Sequence, residues 1–326
     1  MDRASDYGSE GCRFDSGRAH HFLQKQCDPD GTNRSSFISF SMHPGGTMPK
    51  FDFSFTHEQY QDLMNPNREG GYPGNHVAYR HVVNVLHERN AKRLLEVGVG
   101  NGLAIPIFSG EGMDFFGFDN KPEMVSKSKT EMMKYGLSDD QVCWGDIEDS
   151  VSLSPMRNSG EFDGLVAMGV LPHVSHERAA LRNMWHLVKP GGTVFVECRN
   201  KLFSLFTFNR STYEFIMDDL LFDVEASVRA ESANFLKTKL DTEMPPAPSG
   251  HPAKQHNPLD INKVFVDAGF ENVSVVPFHY HAAVPRLEKQ LGASFRTESI
   301  KLENEPSGWR GLFLCSAFIV EAQRPS

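Results

Sequence analysis

The amino-acid sequence predicts an α/β protein built on a doubly wound, mostly parallel sheet of seven strands. Three observations carry that expectation. Strand-like and helix-like segments alternate from residue 93 to residue 200, the pattern of parallel strands joined by crossover helices. The first strand runs straight into a glycine-rich turn, "LLEVGVGNG" at 94–102. Two more strand-like segments, "NVSVVPFHY" (272–280) and "FLCSAFIVEA" (313–322), follow in the last quarter of the chain.

Residues 1–50 hold only Leu23 and Ile38 among the Leu, Ile and Val types, too little apolar surface to offset the entropy of ordering, so a disordered leader is expected. A helical cap follows over 51–92: in "HVAYRHVVNVLHERN", Val82, Val83 and Leu86 recur at helical spacing and stop at Asn90. The core expected over 93–200 begins with strand 93–97, the glycine turn, a helix from about 102 and strand "DFFGFD" (114–119). A helix over 121–135 opens with Pro122 and stops at Gly136, the usual start and stop residues. Strand "QVCWGD" (141–146), strand "FDGLVAMG" (162–169), a helix over 175–188 closed by "KPGG", and strand "TVFVECRN" (193–200) complete the run. Beyond it, Ile216, Leu220 and Val224 fall four apart and predict an amphipathic helix. The stretch 241–258 holds five prolines and no Leu, Ile or Val, a loop or flap. Residues 201–258 therefore read as a lid insertion. A helix at 259–268 opens the closing part of the sheet, 259–326.

With 33 basic against 42 acidic residues the chain carries a formal charge of −9, so no field draws it to nucleic acid or an anionic membrane. No apolar run reaches the roughly 20 residues of a membrane span. Five cysteines, at 12, 27, 143, 198 and 315, form no CxxC pair, which argues for a reducing cytoplasm and against a disulfide framework or zinc knuckle. A small-molecule partner is expected.

In an open parallel sheet, ligands bind beyond the carboxyl ends of the strands. Gly98, Gly100 and Gly102 let the backbone approach such a ligand. Asp119 ends the second strand, near the roughly 20-residue spacing at which an acid takes ribose hydroxyls in dinucleotide folds. A nicotinamide dinucleotide and S-adenosylmethionine both answer that description. The GxGxG spacing, with Leu103 where a dinucleotide turn has its third glycine, and Glu96 just before the turn favour the second. A carboxylate repels a pyrophosphate and suits a sulfonium and an α-amino group.

Taken in order, "LLEVGVGNG", "FFGFDNKPEMV", "CWGDIED", "FDGLVAMGVLPHV" and "LVKPGGTVFVECRN" resemble the successive motifs of class I S-adenosylmethionine-dependent methyltransferases, in the small-molecule branch with the ubiquinone-type enzymes. The resemblance covers about residues 75–200 and implies a Rossmann-like methyltransferase fold with S-adenosylmethionine as cofactor. It implies that Glu96, Gly98, Gly100 and Gly102 hold the methionine part, and that Asp119 binds the ribose with Asn120 and Met124 near the adenine. Asp146 matches the acid that recognises the adenine amino group, with Ile147 beside it, and Met168 and Gly169 match the strand end beneath the sulfonium. His173 is the candidate base, although Pro172 stands where the family's "EHV"-like segment has Glu.

Residues expected to face the acceptor are Tyr72, His76, Tyr79, Arg199, Asn200, His279, Tyr280 and His281; the two histidines alternate on one strand face and also read as plain surface residues. The activity implied is methyl transfer to an oxygen or nitrogen of a small molecule. The resemblance also implies metal independence, since the metal-dependent members that act on catechols place acids at the end of the fourth strand, where this chain has Ala167, Met168 and Gly169. A protein acceptor, or a binding protein that keeps only the fold, is the alternative.

Overall fold

A computed structural model describes residues 74–242, 253–304 and 308–326. The expected leader, the first part of the cap, Tyr72 and the centre of the proline-rich stretch lie outside the described residues. Helix α1 (Gly74–Glu88) buries Val77, Ala78, Tyr79, Val82, Val83 and Leu86. Asn90, at φ 53, turns the chain away from it, a left-handed conformation that asparagine tolerates.

The alternation then runs as β1 (Arg93–Val97), α2 (Ile105–Gly110), β2 (Asp114–Asp119), α3 (Pro122–Lys134), β3 (Val142–Trp144), α4 (Ser154–Asn158), β4 (Phe162–Ala167), α5 (Glu177–Leu187) and β5 (Val188–Asn200). After it come α6 (Arg210–Glu214), a π-helical turn (Phe215–Leu220), α7 (Ala226–Lys237), β6 (Gln255–His256), α8 (Ile261–Asp267), β7 (Glu271–Tyr280), α9 (Glu288–Leu291), α10 (Ala293–Asn304), α11 (Arg310–Leu314) and β8 (Cys315–Gln323).

The strands lie in the order β3-β2-β1-β4-β5-β8-β7, and the two-residue β6 pairs with the end of β5. Strands β1 to β5 are parallel to their neighbours, while β8 runs antiparallel between β5 and β7. This is the expected seven-stranded, mostly parallel sheet with one short strand added. One face is covered by α1, α2 and α3 through Tyr79, Val82, Ile105, Phe108 and Met132. The other face is covered by α5 and α8 through Leu181, Met184, Ile261 and Phe265. Because β1 has β2 on one side and β4 on the other, the chain order reverses there and leaves a crevice at the carboxyl ends of these strands.

Three expectations need correction. Strand β5 starts at Val188, so "KPGG" belongs to the strand; its pairing with β4 is irregular between Phe162 and Gly164, a bulge that Gly191 at φ 76 accommodates. Strand β3 stops at Trp144, leaving Gly145 and Asp146 in the loop. The helix expected through Ile216, Leu220 and Val224 does not form as one element. The chain widens into the π turn, where the Leu221 N–H donates to the Ile216 carbonyl at 2.9 Å, burying Phe215 and Met217 and leaving Leu220 exposed.

Candidate functional site

The turn after β1 is held from three sides. Gly98, Gly100 and Gly102 all adopt positive φ (74, 55 and 84), where a side chain is strained. The Gly98 and Val99 N–H groups both donate to the Phe118 carbonyl, at 2.8 and 3.1 Å, locking the turn to β2. Asp119 is buried and accepts the Gly100 N–H through Oδ2 at 3.0 Å and the Lys121 N–H through Oδ1 at 2.9 Å. From α3, the buried Ser128 hydroxyl donates to the Gly100 carbonyl at 2.9 Å. Each Asp119 oxygen keeps a further lone pair for a ligand hydroxyl.

Glu96 lies at the base of the turn and is only 3% exposed. Its Oε1 accepts the Tyr79 hydroxyl at 3.0 Å, while Oε2 is buried with no hydrogen-bond partner. Burial pushes the carboxyl up to about 8, opposed by the Tyr79 hydrogen bond and reinforced by Asp119. The Tyr79 phenol is raised as well, first by burial and then by Glu96. Tyr79, expected from the sequence to face an acceptor, thus bonds to the carboxylate of the turn.

At the other end of the crevice Asn120 is exposed and Met124 half-buried. The Trp144 indole donates to the Asn120 carbonyl at 3.0 Å, closing that side. The half-buried Asp146 accepts the Glu148 N–H at 2.9 Å through Oδ1, and the buried Ile147 is fixed through its carbonyl by Asn183 Nδ2 at 2.7 Å.

Beyond β4, Met168 is half-buried and Gly169 turns at φ 67, whereas His173 is exposed on the short helical turn that follows. From α1, His76 is half-buried. Asn200 is committed to the fold: its Nδ2 donates to the Leu312 and Cys315 carbonyls at 2.6 and 2.8 Å, and its Oδ1 accepts the Leu202 N–H at 3.0 Å. His279 and His281 are buried rather than on the surface, 8% and 7% exposed, with rings stacked at 5.0 Å. The reason is a kink at His279 (φ 61), which brings its ring against Gly74 at the start of α1. Burial lowers both imidazoles, His279 well below its ordinary value and His281 to about 4. Phe203 packs on His281 at 4.7 Å, and both ring nitrogens of His281 are buried without a partner.

Comparison with known proteins fits this geometry. A family model described as a methyltransferase domain matches residues 75–275. The chain belongs to the class I S-adenosylmethionine-dependent methyltransferases. Ubiquinone biosynthesis O-methyltransferase of Escherichia coli (strain K12 / DH10B) is 29% identical over 110 residues, 34% of this chain and 44% of that protein, so the match spans less than half the length of the curated relative. Among solved structures, the methyltransferase domain of bacterial CtHen1 is 12% identical, covering 77% of this chain and 99% of that one at a TM-score of 0.44. The YcgJ protein from Bacillus subtilis is 15% identical over 77% and 99% at 0.42.

S-adenosylmethionine is the cofactor of this methyltransferase, and the residues suit it. The partnerless Glu96 Oε2 is matched to an ammonium, and Asp119 to a pair of hydroxyls. A Cβ on Gly100 would meet only the Gly98 carbonyl, at 3.9 Å, so the turn leaves open space on that side. Glu197 of β5 is not among the residues expected from the sequence; it is 5% exposed, and its carboxyl is raised by burial against the pull of Arg199 and of the Gly169 N–H. Its signal was available: in "TVFVECRN" the residues Phe195, Glu197 and Arg199 share one face, and a carboxylate in a strand covered on both sides is rare without a task.

Proposed function

We propose that this methyltransferase moves a methyl group from S-adenosylmethionine to an oxygen or nitrogen of a small-molecule acceptor, without a metal ion. The observation that carries the reading is the burial of the polar groups beyond the turn: Glu197, His279 and His281 are 5%, 8% and 7% exposed. An enclosed set of polar groups fits a small molecule, which is held largely desolvated, better than a protein or nucleic-acid chain lying across a surface. The formal charge of −9 supports the same choice. So does the likeness to a relative named as an O-methyltransferase.

In this reading Glu96 receives the α-ammonium, the glycine turn lies along the methionine chain, Asp119 takes the ribose hydroxyls, and Asn120, Met124, Asp146 and Ile147 bound the adenine. Met168 and Gly169 floor the reacting centre. His76, Arg199, His279 and His281 border the acceptor, and His173 stands at its rim. The bound cofactor supplies an electrophilic methyl group; the chain positions the acceptor and keeps water out, and much of the rate comes from that positioning. A cytoplasmic setting belongs to the same proposal. Among the described residues no helix is long and apolar enough to cross a membrane.

The test is a parallel calorimetric titration with S-adenosylmethionine, S-adenosylhomocysteine and NAD, followed by labelled-methyl transfer to panels of phenols, alcohols, amines and peptides. Micromolar binding of the first two ligands, none of NAD, and label on a phenol, alcohol or amine is the expected result. Label on peptides alone would replace the small-molecule reading with protein methylation. Cofactor binding without transfer to any panel would point to a binding protein.

A further inference from the structure

Two carboxylates are buried on the α1 face of the sheet, Glu96 near the end of β1 and Glu197 within β5. Strand β4 separates them. Glu96 is level with Val166, and Val166 with Phe195; Glu197 stands two residues further toward the carboxyl end, on the same face as Phe195. Two strand spacings place β1 and β5 about 9–10 Å apart, which leaves room for a reacting centre between the two acids.

The end of β4 lies in that gap, and Glu197 reaches over it. The Gly169 N–H faces the Glu197 carboxylate closely enough to oppose the rise that burial causes, and a Cβ on Gly169 would sit 3.9 Å from Glu197 Oε2. Tyr79 connects the pair: its hydroxyl is bonded to Glu96, and it is close enough to Glu197 to feel that charge. Arg199 approaches Glu197 Oε1 only to 3.9 Å, and its Nε is buried with no hydrogen-bond partner. The guanidinium therefore partly balances the carboxylate without capping it. By contrast the imidazole of His173 is exposed.

We infer that Glu197 is the catalytic residue on the acceptor side, orienting an O–H or N–H acceptor over the end of β4 and taking its proton. The inference rests on the methyl-transfer reading and narrows it to protic acceptors, hydroxyls or primary and secondary amines. The acceptor's lone pair forms the bond to the methyl carbon, the carbon–sulfur electron pair stays on sulfur, and the acceptor's proton passes to a Glu197 oxygen. Burial strengthens the role, since a carboxylate taken out of water is a stronger base than an exposed one.

The experiment needs no known acceptor. Sinefungin resembles S-adenosylmethionine with an amine-bearing carbon in place of the methylated sulfonium, so it projects a cation toward the acceptor side; S-adenosylhomocysteine has no such charge. Both are titrated calorimetrically into the full chain, wild type and Glu197→Gln, which keeps an oxygen for the Gly169 N–H. A second arm follows the ratio of the two affinities in the wild type between pH 8 and pH 5.5. The expected result is a loss of tenfold or more for sinefungin in Glu197→Gln, with S-adenosylhomocysteine within twofold, and a wild-type preference for sinefungin that shrinks as the pH falls. Equal losses for both ligands, or no loss for either with a flat ratio, would overturn the inference. Failure of the wild type to bind either ligand would instead remove the methyl-transfer reading on which it rests.

Discussion

Glu96 is where a single side chain sets a measurable property. In the ligand-free chain its carboxyl titrates near 8 rather than near 4.5, so the folded state holds the proton more tightly than the unfolded state. Stability contributed by that proton is complete below about 4.5 and is lost as the pH rises through about 8. Glu96→Gln should flatten the decline in ligand-free stability over that window, measured by urea unfolding at several pH values. A cationic group against Oε2 reverses the preference and favours the carboxylate. Binding of S-adenosylmethionine at pH 6–7 should then release up to one proton, and the release should vanish above about pH 8. Calorimetry in buffers of different ionisation enthalpy reads this directly; a heat independent of buffer would remove the contact between Glu96 and the ammonium. Asp119→Ala is expected to weaken binding of the same ligand well over tenfold while far-ultraviolet circular dichroism stays unchanged, because it removes the proposed ribose acceptor and the brace on Gly100 together. Unchanged affinity would withdraw the ribose assignment.

Among the elements, the contact between β2 and the turn is the most exacting. A Cβ on Gly117 would lie 2.1 Å from Val99 Cγ1 and 3.3 Å from the Glu96 carbonyl. Gly117→Ala should therefore cost about 1–3 kcal/mol by overpacking and also weaken cofactor binding, since Val99 belongs to the turn. Denaturant unfolding and calorimetry on one preparation check both, and a loss of stability alone would show that the turn absorbs the strain. The same elements show why parts of the molecule are legible in the sequence and others are not. A turn that needs positive φ at Gly98, Gly100 and Gly102 favours glycine at each position, and Asp119 follows from the length of one helix and one strand. Strand and helix periods differ enough that the order of elements from β1 to β5 is readable. The π turn has no such mark: its wider spacing shifts which residues face inward, so a stripe through Leu220 misleads while Phe215 and Met217 are buried. Glu197 and the stacked pair His279 and His281 depend on what α1 and the kink at His279 place over them, and a residue's own neighbours in sequence do not record that.

For the whole molecule, the proposed ligand site joins segments far apart in the chain: α1, the end of β1, the end of β2, the loop after β3 and the end of β4. Outside the bound state these ends are tied through backbone contacts such as Gly98 N–H to Phe118 and through side-chain bonds such as Tyr79 to Glu96 and Asp119 to Gly100. A ligand that touches all of them adds its binding free energy to the folded state alone. At a ligand concentration of 100 times Kd that addition is about 2.7 kcal/mol, and for a domain of this size each kcal/mol raises Tm by about 2–4 °C. S-adenosylmethionine and S-adenosylhomocysteine should therefore raise Tm by about 5–10 °C, and NAD at the same concentration should not. The rise should also grow with the logarithm of ligand concentration, because linkage and not tighter packing is its cause. A scan of Tm against concentration separates the two, and a plateau reached at stoichiometric ligand in a weakly binding variant such as Asp119→Ala would contradict the linkage argument.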